Sequence, residues 1–258
     1  MVNDLPVAIV EVVNAPTQEV VIDARGPDVL NISGNVEKPD DPDAIMPDWV
    51  ELIVKAANLG MMSGMARPPW SSRATLAKKI FDRTNARMQW TLALDQVDPG
   101  MFLVILTVLC ARRLDGVSIQ TVTAPLDARR LDVKSLTYPA HYRDVPFEVR
   151  REEPLRTTRD RMLQVEFAHT PGDELQKLVA SAFEVWTELL ILGGYAPPGQ
   201  DPRLVHTLPE FAYWLDDVTF VQAFEESFES DEACFEAMVG WAARMHHQGT
   251  AVRSVTIV

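Results

Sequence analysis

Short stretches of this sequence return in the same order about 130 residues further on. Gly64-Met65-Ala66-Arg67-Pro68-Pro69 has a counterpart in Gly194-Tyr195-Ala196-Pro197-Pro198, and Thr75-Leu76 in Thr207-Leu208. Asp98 with Phe102 matches Asp231 with Phe235. The run Ser118 to Thr123 after Gly116 matches Ala251 to Thr256 after Gly249. The separations stay between 130 and 133 residues. Each match is short, but chance would scatter the spacings, whereas a duplicated unit keeps them constant. The 258 residues therefore divide as two halves rather than one large domain.

Each half predicts the same succession of elements. Alternation of apolar and polar residues places a first strand at Val29 to Val36, and in the second half at Met162 to His169, where Leu163, Val165 and Phe167 share a face. A helix follows over Asp48 to Met65, and again over Asp173 to Leu192. In the latter Leu175, Leu178, Val179, Ala182, Phe183, Trp186, Leu189 and Leu190 form the core stripe, Asp173 caps the start and Gly193-Gly194 the end. Hairpins are expected at Ala77–Asp82 with Arg87–Gln96, and at Glu210–Leu215 with Thr219–Glu226. Second helices over Pro99–Leu114 and Asp231–Gln248 lead to closing strands Val117–Ala124 and Ala251–Val258.

Strand, helix, strand, strand, helix, strand is the split βαβ order. The expected fold is α+β: a tandem duplication of a ferredoxin-like (βαββαβ) unit, with antiparallel sheets and helices on one face. Residues 1–130 hold the first repeat, with an N-terminal edge hairpin or strand at Pro6–Val13 and Gln18–Ile22. Residues 131–161 form an Arg-rich linker with an edge strand at Val145–Arg151, and residues 162–258 form the second repeat. In topology the chain resembles the tandem or dimeric α+β-barrel superfamily, which includes antibiotic-biosynthesis monooxygenases and haem-containing chlorite dismutases. The resemblance rests on element order and no motif, so it transfers no function.

Charge separates the halves. The chain carries 37 acidic and 24 basic residues, a net charge of −13. Residues 1–130 hold 16 acids and 13 bases, leaving 21 and 11 beyond. The acids are densest at Glu225, Glu226, Glu229, Asp231, Glu232 and Glu236, where the first half offers only Asp95 and Asp98. Acids in a first helical turn complement the helix dipole and keep a surface soluble. The one-sidedness also suits a docking face for a basic protein. Hard-oxygen ligation of Ca²⁺ by Glu225, Glu229 and Asp231 is a third use, although no glycine turns that loop. Nucleic acid is disfavoured, because its affinity comes from Lys and Arg neutralising phosphates.

No motif for catalysis or phosphate binding is present, and none calls for a cofactor. His246-His247 close a helix, where imidazolium complements the dipole. Tyr213, Trp214, Trp241 and His246 are the residues of a pocket between sheet and helices on the enzyme or ligand-binding alternative, and core aromatics otherwise. Met61, Met62 and Met65 equally suit core packing. The helix Phe102–Ala111 is apolar all round, so its back must be covered by the other half, the linker or a second subunit, the last giving a homodimer. Cys110 and Cys234 lack metal-ligand spacing and are expected as free thiols. The N-terminus lacks a basic export signal, and the longest apolar run is too short for a membrane span. The leading expectation is a cytoplasmic, non-catalytic interaction protein with the character of a toxin-neutralising immunity protein.

Overall fold

The computed structural model describes residues 9–12, 19–25, 48–61, 74–82, 87–94, 103–105, 107–108, 118–124, 138, 145–152, 161–201, 204–224 and 228–258. The protein is mixed α+β. Its elements are β1 (Ile9–Val12), β2 (Glu19–Arg25), α1 (Asp48–Asn58), β3 (Ala74–Asp82), β4 (Arg87–Leu94), β5 (Ser118–Ala124), β6 (Glu148–Arg151), β7 (Arg161–Phe167), α2 (Asp173–Ile191), β8 (Phe211–Trp214), β9 (Thr219–Phe224), α3 (Ala233–His247) and β10 (Val252–Ile257). Residues 103–105 and 107–108 are also helical.

The strands form two five-stranded sheets, ordered β1-β5-β2-β4-β3 and β6-β10-β7-β9-β8. Matched in chain order, the two sequences of neighbours are the same. In each, one edge strand runs parallel to its neighbour (β1 to β5, β6 to β10) and all other pairs are antiparallel. The first core strand of the first half is β2, which lies between β5 and β4. The Gln18–Ile22 stretch expected at the edge is therefore central, and Val29–Val36 lies outside the described residues.

Irregularities coincide as well. Between β5 and β2 the register steps from Thr121 opposite Asp23 to Ile119 opposite Ala24, so Gln120 is the extra residue. Between β10 and β7 it steps from Ser254 opposite Glu166 to Val252 opposite Phe167, which makes Arg253 the extra residue. Gln120 and Arg253 are 133 apart in the chain. A bulge leaves one residue unpaired and tightens the local twist. Arg253 uses that freedom to donate to Glu166 Oε1 at 2.7 Å.

The helices repeat at the same interval. Val50, Leu52, Ile53, Ala56 and Ala57 are buried on α1, and Val185, Phe183, Trp186, Leu189 and Leu190, each 133 residues beyond one of them, are buried on α2. Both helices end alike. The Gly60 amide donates to Ala57 O at 2.9 Å and that of Met61 to Ala56 O at 3.1 Å, while Gly193 and Gly194 donate to Leu190 O at 2.9 Å and Leu189 O at 2.8 Å. Gly60 and Gly193 hold φ of 81° and 77°, the left-handed conformation such helix ends require. Structurally Gly60 and Gly193 correspond at a separation of 133, so the Gly64–Gly194 match made from sequence, at 130, is three residues out of register. Two details of α2 differ from expectation. Gly172 is its N-cap, with Asp173 already helical, and Leu178 is 41% exposed because the buried stripe starts at Val179.

The helices lie between the sheets. α1 packs on β3 and on α2, while Phe183 of α2 meets Phe220 of β9 at 4.7 Å. One buried cluster runs through both halves, from Val50 and Trp90 to Trp241 and Val255. Hydrogen bonds also cross between the halves. Tyr195 Oη donates to Met61 O at 3.2 Å, and Arg244 Nη1 donates to Asn58 O, at the end of α1, at 2.8 Å. Of the all-round apolar helix of the first half, Leu103, Val104, Ile105, Thr107 and Val108 are described, and all five are buried.

Gly194 sits where these layers close. A Cβ there would lie 2.7 Å from Leu189 O, a backbone atom, and 3.4 Å from Val108 Cγ2. Gly194→Ala is expected to cost roughly 1–3 kcal/mol by overpacking. Gly172→Ala, where a Cβ meets nothing within 4 Å, should leave the denaturant midpoint nearly unchanged.

Candidate functional site

The acidic residues singled out from sequence follow the end of β9. Glu225 and Glu226 lie outside the described residues. The other four have structural partners. Glu229 Oε2 accepts the His206 amide at 2.9 Å. Asp231 Oδ1 accepts the Ala233 amide at 2.8 Å, which ties down the first turn of α3. Glu232 is exposed and meets Arg161 Nη2 at 3.2 Å. Glu236 is buried, its side chain 2% exposed, and it pairs with Arg151 Nη2 at 2.8 Å. Glu236 is therefore a core residue and belongs to no docking surface. Glu229 and Asp231 are half-buried, and each carboxylate accepts a backbone amide. Among the described residues no three His, Cys, Asp or Glu side chains are grouped to hold a metal ion.

What the acids border is a feature the sequence left unmarked. Thr207, almost fully buried, accepts the Glu229 and Ser230 amides on Oγ1, each at 3.0 Å, and shares a hydrogen bond with Ser230 Oγ at 2.8 Å. This clamp holds the segment leading into β8 against the segment leading into α3. Its consequence is a mixed surface. Leu204, Leu208 and Phe211 are each more than half exposed, with Tyr213 and Leu215 continuing along β8. Leu204 and Leu208 flank the clamped Thr207, and Glu229 and Glu232 follow on the opposing segment. Only the Thr207-Leu208 repeat match touched this feature from sequence.

Strand β8 is fastened by its turn. Asp216 Oδ1 accepts the Val218 amide at 2.8 Å and the Thr219 amide at 2.7 Å. The Val218 amide holds the Asp216 carboxyl below its ordinary pKa against the opposing effect of desolvation, with Thr219 assisting. Successive residues of β8 alternate across the sheet. Phe211 and Tyr213 face outward, while Trp214 turns in to pack on Phe167 and Phe220 at centroid distances of 6.0 and 5.2 Å.

The residues of the expected pocket are thereby separated. Tyr213 and Trp214 occupy opposite faces of β8. Trp241 is buried in α3, edge-on to Phe183 at 6.0 Å, and among the described residues its Nε1 has no hydrogen-bond partner. His246 Nδ1 lies 3.1 Å from Val252 O at the far end of α3, with its ring 6.1 Å from Phe147. Between sheet and helices the space is occupied by rings: Phe183, Trp186, Phe220, Phe224, Phe228 and Phe235 meet in successive pairs. Arg161 caps this cluster from the edge, its guanidinium 5.9 Å from the Phe228 centroid.

Cys234 is a free thiol, and burial pushes it well above its ordinary pKa, with the charges of Asp231 and Glu232 adding to the effect. Such a thiol is a poor nucleophile. Among the described residues no helix is long and apolar enough to cross a membrane. The chain matches no family model, no curated protein and no solved structure.

Proposed function

We propose that this chain is a non-catalytic protein-binding module of two ferredoxin-like repeats, whose second repeat docks a basic protein in the manner of an inhibitor or immunity protein. The duplication is supported by the matching strand orders, the bulges at Gln120 and Arg253, and the helix ends at Gly60 and Gly193. Without β1 and β6, each sheet orders its strands fourth, first, third, second, as a split βαβ unit does. The repeats span 1–130 and 162–258, and the linker 131–161 contributes β6 to the second sheet.

The observation that carries the binding role is the Thr207 clamp, which sets exposed Leu204 and Leu208 beside the acidic segment of Glu229 and Glu232. Protein interfaces combine an apolar centre with a polar rim, and a rim of one sign steers partners of the other. Relative to the sequence expectation, the centre of the surface moves from α3 to the segment before β8, and Glu232 remains its exposed acid. Affinity capture from the protein's own cell, quantified by mass spectrometry, tests the proposal. A basic protein retained by wild type is expected to fall at least tenfold with Leu208→Asp combined with Glu232→Lys, and to elute as salt rises to about 0.5 M. Recovery of the same proteins by both chains would overturn the proposal.

A further inference from the structure

Among the described residues the second sheet ends in two edge strands, β6 and β8, and only one is guarded by charge. Strand β6 carries Glu148, Arg150 and Arg151, with Glu148 and Arg150 joined at 2.6 Å, and charge on an edge strand discourages further pairing. At the other edge, Phe211 to Leu215 contains no charged residue, and Phe211, Tyr213 and Leu215 are 45 to 55% exposed. The free backbone groups of β8 can be assigned. Leu215 N donates to Thr219 O at 2.9 Å, and Tyr213 and Phe211 stand opposite Val221 and Ala223. Antiparallel ladders alternate, so from Phe211 to Leu215 the odd-numbered residues bond inward and Ala212 and Trp214 direct their N–H and C=O groups to the open side, while just before the strand the Glu210 amide also turns inward and donates to Ala223 O at 3.0 Å.

We infer that β8 pairs with β8 of a second copy, antiparallel about a twofold axis through Ala212, and joins two five-stranded sheets into one of ten. The inference concerns the strand edge and holds whether or not the acidic segment binds a basic protein. A second copy is the occupant because the segment complements itself. With the axis at Ala212, Phe211 faces Tyr213 twice and Pro209 faces Leu215 twice, aromatic and apolar pairs of the kind that stabilise neighbouring strands. Glu210, whose amide stays bonded to Ala223 O, then falls opposite Trp214 and Asp216 opposite Leu208, so no acid opposes an acid. An axis at Tyr213 would set Glu210 against Asp216 twice, and like charges directly opposed are unfavourable. Charge therefore selects the register as well as the partner.

Light scattering and sedimentation across the micromolar range test this pairing. Wild type is expected to double its mass from 28.9 kDa with rising concentration. Ala212→Pro, which removes an outward N–H, and Tyr213→Lys, which charges the apolar stripe, should each remain monomeric. If Ala212→Pro fails to fold, Tyr213→Lys decides, because its side chain is outside the core. Opposed Cα atoms in such a bonded pair lie about 5.5 Å apart, within disulfide reach. Ala212→Cys should therefore cross-link on oxidation while Trp214→Cys does not. A wild type that stays monomeric, a dimer that survives Tyr213→Lys, assembly beyond dimers, or cross-linking through Trp214→Cys instead would overturn the inference.

Discussion

Trp186→Ala is expected to destabilise the chain by about 3–5 kcal/mol, among the largest losses for a single truncation. Trp186 is fully buried on α2 and sits edge-on to Phe183 and Phe224, at 6.0 and 5.4 Å, with Phe235 at 5.7 Å. Its Nε1 donates to Cys234 O at 3.1 Å, so one side chain binds α2, β9 and the start of α3 together. Rings that already touch cannot close over a void of indole size, and the cavity adds to the lost transfer energy. Urea unfolding followed by far-UV circular dichroism reads the loss without relying on the deleted fluorophore. Trp186→Phe separates the contributions: it keeps most of the ring contact and loses the hydrogen bond, so its cost should be well below that of alanine. Equal costs for the two would show that the hydrogen bond, rather than packing, dominates at this position.

Arg151→Met is expected to cost up to about 3 kcal/mol, because it removes the guanidinium that pairs with the buried Glu236 carboxylate. Glu236 lies on α3, which is buried on almost every side, and its partner reaches it from β6. The attraction within such a pair does little more than offset desolvation of the two charges, so the penalty arises from removing one of them. Arg151→Met combined with Glu236→Leu should therefore recover most of the stability lost by Arg151→Met alone. A double-mutant cycle in urea measures this directly. If the double variant were as unstable as the single one, the ion pair itself would be the stabilising element, and β6 would depend on it.

How much of this was legible beforehand follows from where each residue's partners lie. Strand β7 was found because Leu163, Val165 and Phe167 alternate with half-exposed neighbours, a pattern written within one segment. Strand β9 is covered on both faces, and its alternation is lost in burial, so only the hairpin context located it. In the first half, Gln18–Ile22 was expected at an edge, but the sheet holds Glu19–Arg25 between β5 and β4. Whether a strand lies at the edge or in the middle depends on pairing partners some 65 to 100 residues away, beyond the reach of local pattern. Glu236 failed for the same reason. A glutamate in a first helical turn has the sequence signature of a surface acid, and its pairing with Arg151, 85 residues earlier, is not visible in local pattern. The exposed edge was hidden differently: Phe211-Ala212-Tyr213-Trp214-Leu215 is apolar throughout, and such a run does not reveal which side faces water.

The hydrogen bonds from Tyr195 to Met61 and from Arg244 to Asn58 have a consequence for how the molecule comes apart. Since the interior is common property of both halves, cutting the peptide between β5 and β6 leaves what joins them in place, and Tyr138 within it adds a hydrogen bond to Ala196 O at 2.9 Å and packs on Tyr195. A protease that severs it should release nothing: the two pieces would stay clasped and denature in a single transition, and separately made pieces should restore the whole when mixed.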